Sequence, residues 1–190
     1  SVAPASPASA MLSRRESKCA RAIGKAGAES VRSKLPLVQK CRETVVEGGS
    51  CAGPDTGVLA KIDDMLAQAV GRACDPGPST FEKLGFPGPC ADANPADGFT
   101  RDDVVACMQT SHDGIIAAML ALEYDAGVPT PLGTSARVCQ RAVAKRSRGL
   151  VTCVLRSVQK CRAAVMRGRL PGVLAHRCAT DDPRTAGAIA

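Results

Sequence analysis

Two copies of one cysteine-bounded segment constrain the fold of this chain more than any other feature. The first copy runs from Cys19 to Cys41 and the second from Cys139 to Cys161, and a constant offset of 120 residues aligns them. In both copies the cysteines lie 22 residues apart, with apolar residues at helical spacing between them. The sequence therefore predicts two long helices built on one pattern.

The segment that follows the first copy has a matching length. Cys51 and Cys74 lie 23 residues apart and bound another stretch with helical periodicity. At a rise of about 1.5 Å per residue, the two helices are nearly equal in length. Packed antiparallel, they bring Cys41 to Cys51 at the turn and Cys19 to Cys74 at the open end. We therefore expect residues 13–74 to form a helical hairpin with a disulfide at each end.

Local signals mark the ends of the first helix. Ser13 followed by Glu16 is typical of a capping box, and Gly48 with its neighbouring glycine is typical of a helix end. Pro36 lies inside the periodic segment and predicts a kink or a split near Ser33, because proline lacks a backbone donor.

The middle of the chain, residues 75–125, is predicted to be a loop followed by a helix. Residues 75–99 are rich in Pro, Gly and Asp, which predicts an ordered loop without helix or strand. Thr100 and Asp103 form a second capping-box pattern, and the apolar periodicity after them ends near Tyr124.

Residues 126–190 repeat the hairpin in a shorter and more basic form. Thr134 or Ser135 is the expected N-cap of its long helix. Cys161 is expected to pair with Cys178, which takes the position of the turn cysteine in the first hairpin. The sequence leaves no room for a long return helix after Cys178, so this hairpin is predicted to be truncated.

Four cysteines remain after these pairs: Cys90, Cys107, Cys139 and Cys153. Cys139 and Cys153 lie 14 residues apart on one predicted helix, about 21 Å by its rise, which is too far for a disulfide. By elimination, we expect Cys90 and Cys107 to form cross-links to the second-repeat helix, with the order of pairing left open.

The cysteine pattern also indicates a compartment. The chain has ten cysteines, no Cys-x-x-Cys pair and two histidines, which disfavours zinc sites built from closely spaced ligands. Disulfides are the alternative, and they form in oxidising compartments.

Residues 1–12 are uncharged and rich in Ala, Ser and Pro, as in the flexible tail of a mature protein after signal removal. We expect a periplasmic or extracellular protein without a transmembrane span, since no run of about 18 apolar residues is present.

The fold class follows from the periodicity and from the small side chains. With no Trp, one Tyr and three Phe, the core must be built from Ala, Val and Leu, which bury little area each. Disulfides supplement a core of this kind. We expect an all-α protein of antiparallel helical hairpins or a bundle stapled by disulfides, with a long Pro/Gly-rich ordered loop.

Charge is unevenly distributed along the chain. Residues 1–41 carry a net charge of +6, residues 42–125 carry −9 and residues 126–190 carry +10. The basic helices can fold onto the acidic middle, or their surface can meet an anionic partner. The candidate partner-binding bases lie on the second-repeat helix: Arg137, Arg141, Lys145, Arg146, Arg148, Arg156 and Lys160.

Two motifs with catalytic or metal-binding residue types carry little chemistry. Residues 92–103 resemble a calcium loop, but Asp97 and Gly98 come one place late and Asp103 replaces Glu, so a polar loop ending in a helix cap is the preferred interpretation. Ser111, His112 and Asp113 are adjacent on a helix, point in different directions and cannot form a relay. No cofactor, resident metal or catalytic residue is predicted.

Four short elements resemble a group of uncharacterised, secreted, Cys-rich bacterial proteins with repeated disulfide-stapled helical hairpins. The elements run from Cys19 to Gly27, from Leu35 to Cys41, from Ala60 to Ile62 and from Gly85 to Pro87. The resemblance implies secretion and disulfides and no particular activity.

These observations predict a function without catalysis. We expect a secreted structural or interaction protein that docks to a protein partner or assembles with other copies. The alternative is a binding module for an anionic polymer, such as a polysaccharide, nucleic acid or lipid headgroups, that uses the basic second-repeat helix.

Overall fold

The computed structural model describes residues 12–74, 78–124, 131–170 and 178–189. Within these ranges the chain is all-α and contains no strand. The helices are α1 (Arg14–Val46), α2 (Thr56–Ala73), α3 (Pro78–Lys83), α4 (Arg101–Glu123), α5 (Thr134–Met166), α6 (Cys178–Asp181) and α7 (Pro183–Ile189). The predicted all-α fold class is confirmed. The predicted N-terminal tail, apart from Leu12, lies outside the described residues.

The ends of α1 form where the sequence places them. The Ser13 hydroxyl accepts from the Glu16 backbone N–H at 3.2 Å, and the Glu16 carboxylate accepts from the Ser13 N–H at 2.6 Å, which completes the capping box. At the other end, Gly48 adopts a positive φ of 90° and donates to the Val45 carbonyl at 3.0 Å. Glycine suits this position because it has no Cβ to clash.

Pro36 does not split α1. The helix runs as one element from Arg14 to Val46 with Pro36 inside it, so the predicted split near Ser33 is wrong, and the alternative of a kink stays a prediction. Proline removes one backbone hydrogen bond. Packing next to it offsets this loss, because Leu35 is 1% exposed and the Gln39 side chain is fully buried.

Helices α1 and α2 form the stapled hairpin. Cys19 bridges to Cys74 at one end with a Cα–Cα distance of 4.6 Å, and Cys41 bridges to Cys51 at the turn with 5.5 Å. Asp55 caps α2 by accepting from the N–H groups of its first turn. Both bridges are those that the cysteine spacing predicts.

The segment predicted to be a loop contains one short helix. Helix α3 spans Pro78–Lys83, so the expectation that residues 75–99 hold no helix is wrong there. Phe81 is the reason, because this side chain is fully buried in the core formed with Phe99, Val104 and Leu66. The part of the segment after Lys83 contains turns and bends without regular structure.

The two repeat helices, α1 and α5, pack antiparallel and make the same contact twice. The Gln39 side-chain amide donates to the Ala144 carbonyl at 3.2 Å, and the Gln159 amide donates to the Gly24 carbonyl at 2.5 Å. The 120-residue offset converts Gln39 into Gln159 and position 24 into position 144. The helices are therefore related by an approximate two-fold axis that passes near Val31 and its counterpart in α5.

The start of α5 differs from the expectation. Gly133 occupies the N-cap position and makes no side-chain cap bond, while Thr134 is already the first helical residue. The predicted side-chain cap at Thr134 or Ser135 is therefore wrong. The other end of α5 repeats the end of α1, since Gly168 has a φ of 66° and donates to the Val165 carbonyl at 2.9 Å.

The return segment of the second repeat is short in the described residues. Cys161 bridges to Cys178 as expected, with a Cα–Cα distance of 5.8 Å. Helices α6 and α7 follow, and the Thr185 hydroxyl at the start of α7 donates to the Ser157 carbonyl of α5 at 3.4 Å. Helix α7 thus lies against the Cys161 end of α5. Residues 171–177 lie outside the described residues.

The elimination argument for the remaining cysteines is wrong. Cys90 bridges to Cys107 with a Cα–Cα distance of 5.4 Å, because the loop before α4 folds back over the beginning of that helix. Cys139 and Cys153 lie exposed on α5, outside the four disulfides. The middle segment therefore has no disulfide to the second repeat, and two thiols stay on the surface.

A close helix contact at Gly27 provides a test of the packing. A Cβ there would lie 2.8 Å from Met108 Cε and 2.9 Å from His112 Cε1, both in α4. We expect Gly27→Ala to lower the free energy of unfolding by about 1–3 kcal/mol through overpacking. Gly114→Ala is the matched control, since a Cβ there meets nothing within 4 Å. Replacing this helical glycine should leave stability unchanged or raise it by about 0.5–1 kcal/mol.

Denaturant unfolding followed by circular dichroism measures both variants. Equal stability of the two would contradict the packing of α1 against α4.

Candidate functional site

One side of α5 exposes apolar and cysteine side chains. We use the name outer face for its residues Cys139, Ala142, Val143, Arg146, Leu150 and Cys153, all of which are exposed. Val143 is 43% exposed and Leu150 is 55% exposed. Spacings of three and four residues place all six side chains on one side of the helix.

The equivalent face of α1 is covered. The 120-residue offset matches the outer face to Cys19, Ala22, Ile23, Ala26, Ser30 and Ser33, none of which is exposed. Cys19, Ala26 and Ser30 are 1%, 8% and 3% exposed, respectively. Helix α2 supplies the cover, with Leu66 and Val70 in the same core as Cys19 and Ala26. The two repeats thus contain equivalent long helices, but the elements that pack on those helices differ.

The bases predicted to bind a partner differ in their contacts and in their exposure. Arg141 donates from Nε to Glu47 Oε1 at 3.1 Å, and Arg148 donates to the Gln39 side-chain oxygen at 2.8 Å. These two face α1 and hold the helix pair together. Arg137 is half-buried and its guanidinium lies 3.4 Å from the Thr134 hydroxyl. The exposed bases are Lys145, Arg146, Arg156 and Lys160.

A buried polar network fixes the inner side of α5. The Gln39 side chain donates to Glu123 Oε2 at 2.7 Å as well as to the Ala144 carbonyl. The Gln140 amide donates to the Glu123 carbonyl at 2.6 Å. Burial, together with the charges of Glu43 and Glu123, raises the pKa of the neighbouring Tyr124 to about 12. The network joins α1, α4 and α5 and leaves the outer face pointing away from it.

A second charged cluster lies where α1, α2 and α4 meet. The Lys34 ammonium is 3% exposed and lies 2.7 Å from both Asp63 Oδ1 and Asp113 Oδ1. Burial alone would lower the pKa of Lys34, but the hydrogen bonds and charges of Asp113 and Asp63 outweigh it and raise the pKa above its ordinary value. Lys34 therefore stays charged and ties three helices together.

His112 packs beside this cluster. It is half-buried against Gly27 of α1, at the interface between the helices. Burial, together with the nearby positive charge of Lys34, lowers the pKa of His112. Asp113 points to Lys34, and the Ser111 hydroxyl lies 4.0 Å from Cys107 Sγ. Ser111, His112 and Asp113 therefore form no relay, as their spacing predicts.

The loop of residues 92–103 uses its carboxylates to order the backbone. Asp103 accepts from the Ala93 and Thr100 N–H groups at 3.0 and 2.8 Å and from the Thr100 hydroxyl at 2.7 Å. Asp92 accepts from the Asn94 N–H at 3.0 Å. In the part of the chain that the structure describes, no three His, Cys, Asp or Glu residues are grouped to hold a metal ion.

Two shallow grooves lie between helices. One, of about 440 Å³, lies between α2 and the start of α4 and is lined by Gly71, Arg72, Arg101 and Asp102. Its charges are engaged, since Arg72 donates to Gln68 and Arg101 to Asp102. The other, of about 260 Å³, lies between α1 and α2 and is mainly apolar. Neither groove includes His112 or the Lys34 cluster in its lining.

Helix α4 is long and apolar enough to cross a membrane by length and composition, with a mean hydropathy of 1.3 over its most apolar window. Only 22% of that window is buried. Helices of water-soluble proteins also meet this criterion, and Asp113 in the middle of α4 is bound to Lys34 of α1.

Comparisons with known proteins give no relative for this chain. No protein-family model, curated protein or solved structure matches it. The resemblance to secreted, Cys-rich bacterial proteins therefore stays a prediction, and any function has to be inferred from the structure alone.

Two features of the site were missed from the sequence. Lys34 lies among Val31, Leu35 and Val38 on the apolar side of α1, and a charged residue in that position could have indicated a buried ion pair. The outer face could have been found by asking which positions of the first repeat meet α2 and which residues replace them 120 positions later.

The lowered pKa of His112 predicts how stability depends on pH. The folded-state pKa of His112 lies below the unfolded value of 6.5. The stability that the neutral imidazole contributes is therefore fully present above about pH 6.5, and it is lost as the pH falls below about 6.5 through the folded-state pKa. His112→Gln should flatten this dependence between pH 7.5 and 5. The measurement is the melting temperature across that range, with Lys34, Asp63 and Asp113 unchanged.

His176→Gln is the control, because it removes the other histidine of the chain. An unchanged slope in His112→Gln would show that the imidazole does not lose solvation in the folded state.

Proposed function

We propose that this chain is a secreted interaction protein without catalytic activity, which binds a protein partner through the outer face of α5. One observation carries the proposal. The outer face combines exposed apolar side chains with neighbouring bases, while its counterpart in the first repeat contains no exposed residue and packs against α2. Apolar surface of this kind on a helix is typical of a site that another protein covers.

The rigid mounting of α5 supports this proposal. Its inner side is bound to α1 through Gln39, Gln159, Arg141 and Arg148. The Cys161–Cys178 bridge ties its far end to α6. A surface on such a support is already formed before binding, so little conformational entropy is lost when a partner docks.

The disulfides support an oxidising location. Four bridges are more typical of extracellular or periplasmic proteins than of cytosolic ones. We propose that the protein works in the periplasm or outside the cell, where its partner would also be found.

A second candidate function is binding of an anionic polymer. Helix α5 carries eight bases and no acid. Of the bases predicted to bind, the exposed group Lys145, Arg146, Arg156 and Lys160 lies on or beside the outer face. Such a surface can neutralise phosphate, sulfate or carboxylate groups of a polymer and release their counterions.

Capture of a partner tests the primary proposal. The full chain is immobilised and exposed to the extracellular and periplasmic proteins of its source. We expect a partner that binds the wild-type chain and loses at least about tenfold in affinity with Leu150→Asp, because a carboxylate on the outer face opposes apolar contact.

Met65→Asp is the matched control, since Met65 is 58% exposed on α2, the helix that packs on α1. It should bind the partner as the wild type does. Equal binding by the two variants, or no retained protein, would contradict the proposal.

Heparin retention with a salt titration tests the second candidate. The double variant Lys145→Ala with Arg146→Ala should elute at lower salt than Arg14→Ala with Arg15→Ala, which removes two exposed charges from α1. The affinity should fall linearly with salt on logarithmic axes. Absence of retention at low salt, or identical elution of the two variants, would rule out polymer binding by α5.

A further inference from the structure

The contact between α1 and α2 shows which kind of element packs on a repeat helix of this protein. On α1 it runs antiparallel and contributes Leu66 and Val70 to the shared core. At its C-terminal end, Cys74 bridges to Cys19 and fixes the register. The ligand of the α1 face is thus an amphipathic helix that ends in a cysteine.

The second repeat contains the beginning of the same arrangement. Cys178 corresponds to Cys51, and in both repeats an aspartate four residues later accepts from N–H groups of the next helix: Asp55 in α2 and Asp182 in α7. Helix α7 then contacts α5 near Ser157. The seven residues of α7 therefore match the first turns of α2.

The later turns of α2 have no equivalent among the described residues. These turns carry Leu66, Val70 and Cys74, which cover Cys19 and Ala26 in the first repeat. The matching side of α5 is the outer face. Cys139, the counterpart of Cys19, is an exposed thiol there.

The charge of α5 indicates which kind of helix could pack on the outer face. Helix α5 carries eight bases and no acid, and Arg146 replaces Ala26 of the first repeat. A second copy that used its own α5 would bring like charges together, which opposes association. An acidic helix would be attracted instead.

We propose that the outer face binds an acidic amphipathic helix from another protein, antiparallel to α5, whose C-terminal cysteine forms a disulfide with Cys139. This inference depends on the proposed function and names the chemistry of its partner. Val143 and Leu150 take the apolar side of the incoming helix, while Lys145, Arg146 and Arg156 meet its acids.

The covalent step is a balanced thiol–disulfide exchange. The Cys139 thiolate and the partner's thiolate each lose one electron as the new S–S bond forms. A disulfide oxidant, glutathione disulfide in the test, accepts the two electrons and leaves as two glutathione thiols. The two protein thiol protons pass to the two glutathione thiolates.

A synthetic peptide can serve as the probe. It has the sequence of residues 63–74 of this chain, the turns of α2 that α7 does not match, with Gln68→Glu and Arg72→Glu, two changes at exposed positions of α2. The apolar side and the terminal cysteine stay as they are. A basic peptide of equal length, with Asp63→Lys and Asp64→Lys in the original sequence, is the matched control.

The oxidised full chain is incubated with each peptide in a glutathione redox buffer. Intact mass and disulfide mapping measure the adducts. We expect the acidic peptide to link to Cys139 at least about tenfold faster than the basic peptide, because docking raises the local concentration of its thiol. Cys139→Ser should abolish the adduct, and Leu150→Asp should slow it about tenfold, whereas Met65→Asp, at an exposed position of α2, should have no effect.

Several outcomes would overturn the inference. These are equal rates for the two peptides, linkage at Cys153 in place of Cys139, or an adduct rate that is insensitive to Leu150→Asp. A disulfide-linked dimer of the chain through α5, formed without peptide, would assign the outer face to a second copy and overturn it as well.

The peptide and capture experiments can fail separately. If the peptide does not react but a captured partner still depends on Leu150, the helix-and-cysteine inference is wrong and the proposed function stands. If the peptide reacts as expected but no partner is captured, the outer face binds helices and the proposed function is wrong.

Discussion

The reciprocal pairing of α1 with α5 is the contact on which the rest of the structure depends. Each helix donates a hydrogen bond from one glutamine side chain, the buried Gln39 or the half-buried Gln159, to a backbone carbonyl of the other. A buried amide without a partner would cost about 1–3 kcal/mol, so these bonds favour one register of the helix pair over its neighbours. The register in turn decides which side of α5 faces inward and which side remains open.

Helices α2 and α4 are cross-linked to α1, whereas the short helices α6 and α7 are attached to α5. Helix α2 is tied to α1 by two disulfides, and α4 is tied to it by Lys34, which binds Asp113 while it also binds Asp63 of α2. With small apolar side chains in most core positions, such cross-links supply specificity that bulky packing would otherwise give. Among the described residues, α5 contacts α1, the end of α4 and the short helices α6 and α7. The difference in what packs on these two helices of equal length leaves a surface of α5 exposed.

The parts of the fold that could be predicted were those controlled by local spacing. The bridges Cys19–Cys74 and Cys41–Cys51 followed from helix rise, because two stretches of equal length on antiparallel helices align their ends. Caps at Ser13 and Thr100 followed from side chains that satisfy nearby backbone donors. Helix α3 was missed because six residues are too few to show periodicity, and burial of Phe81 stabilises it from outside the segment.

The prediction was weaker wherever tertiary position mattered. Elimination assumed that all ten cysteines are oxidised, but Cys139 and Cys153 are exposed on α5 and belong to none of the four disulfides. Of the seven bases predicted to bind a partner, Arg141 and Arg148 form hydrogen bonds to α1, which their spacing on α5 does not reveal. Sequence spacing gives the side of a helix, and only the packing of other helices decides whether that side is open.

The two-fold relation between α1 and α5 has a consequence for a shorter chain. A polypeptide holding a single copy of the repeat would carry both halves of the contact, the glutamine side chain that donates the hydrogen bond and the carbonyl that accepts it. Two such polypeptides would be complementary to each other through one patch used twice, as in isologous dimers. The present protein has the form of such a dimer joined into one chain, and the join allows its two halves to differ: one is closed by its own helix, and the other is free to specialise.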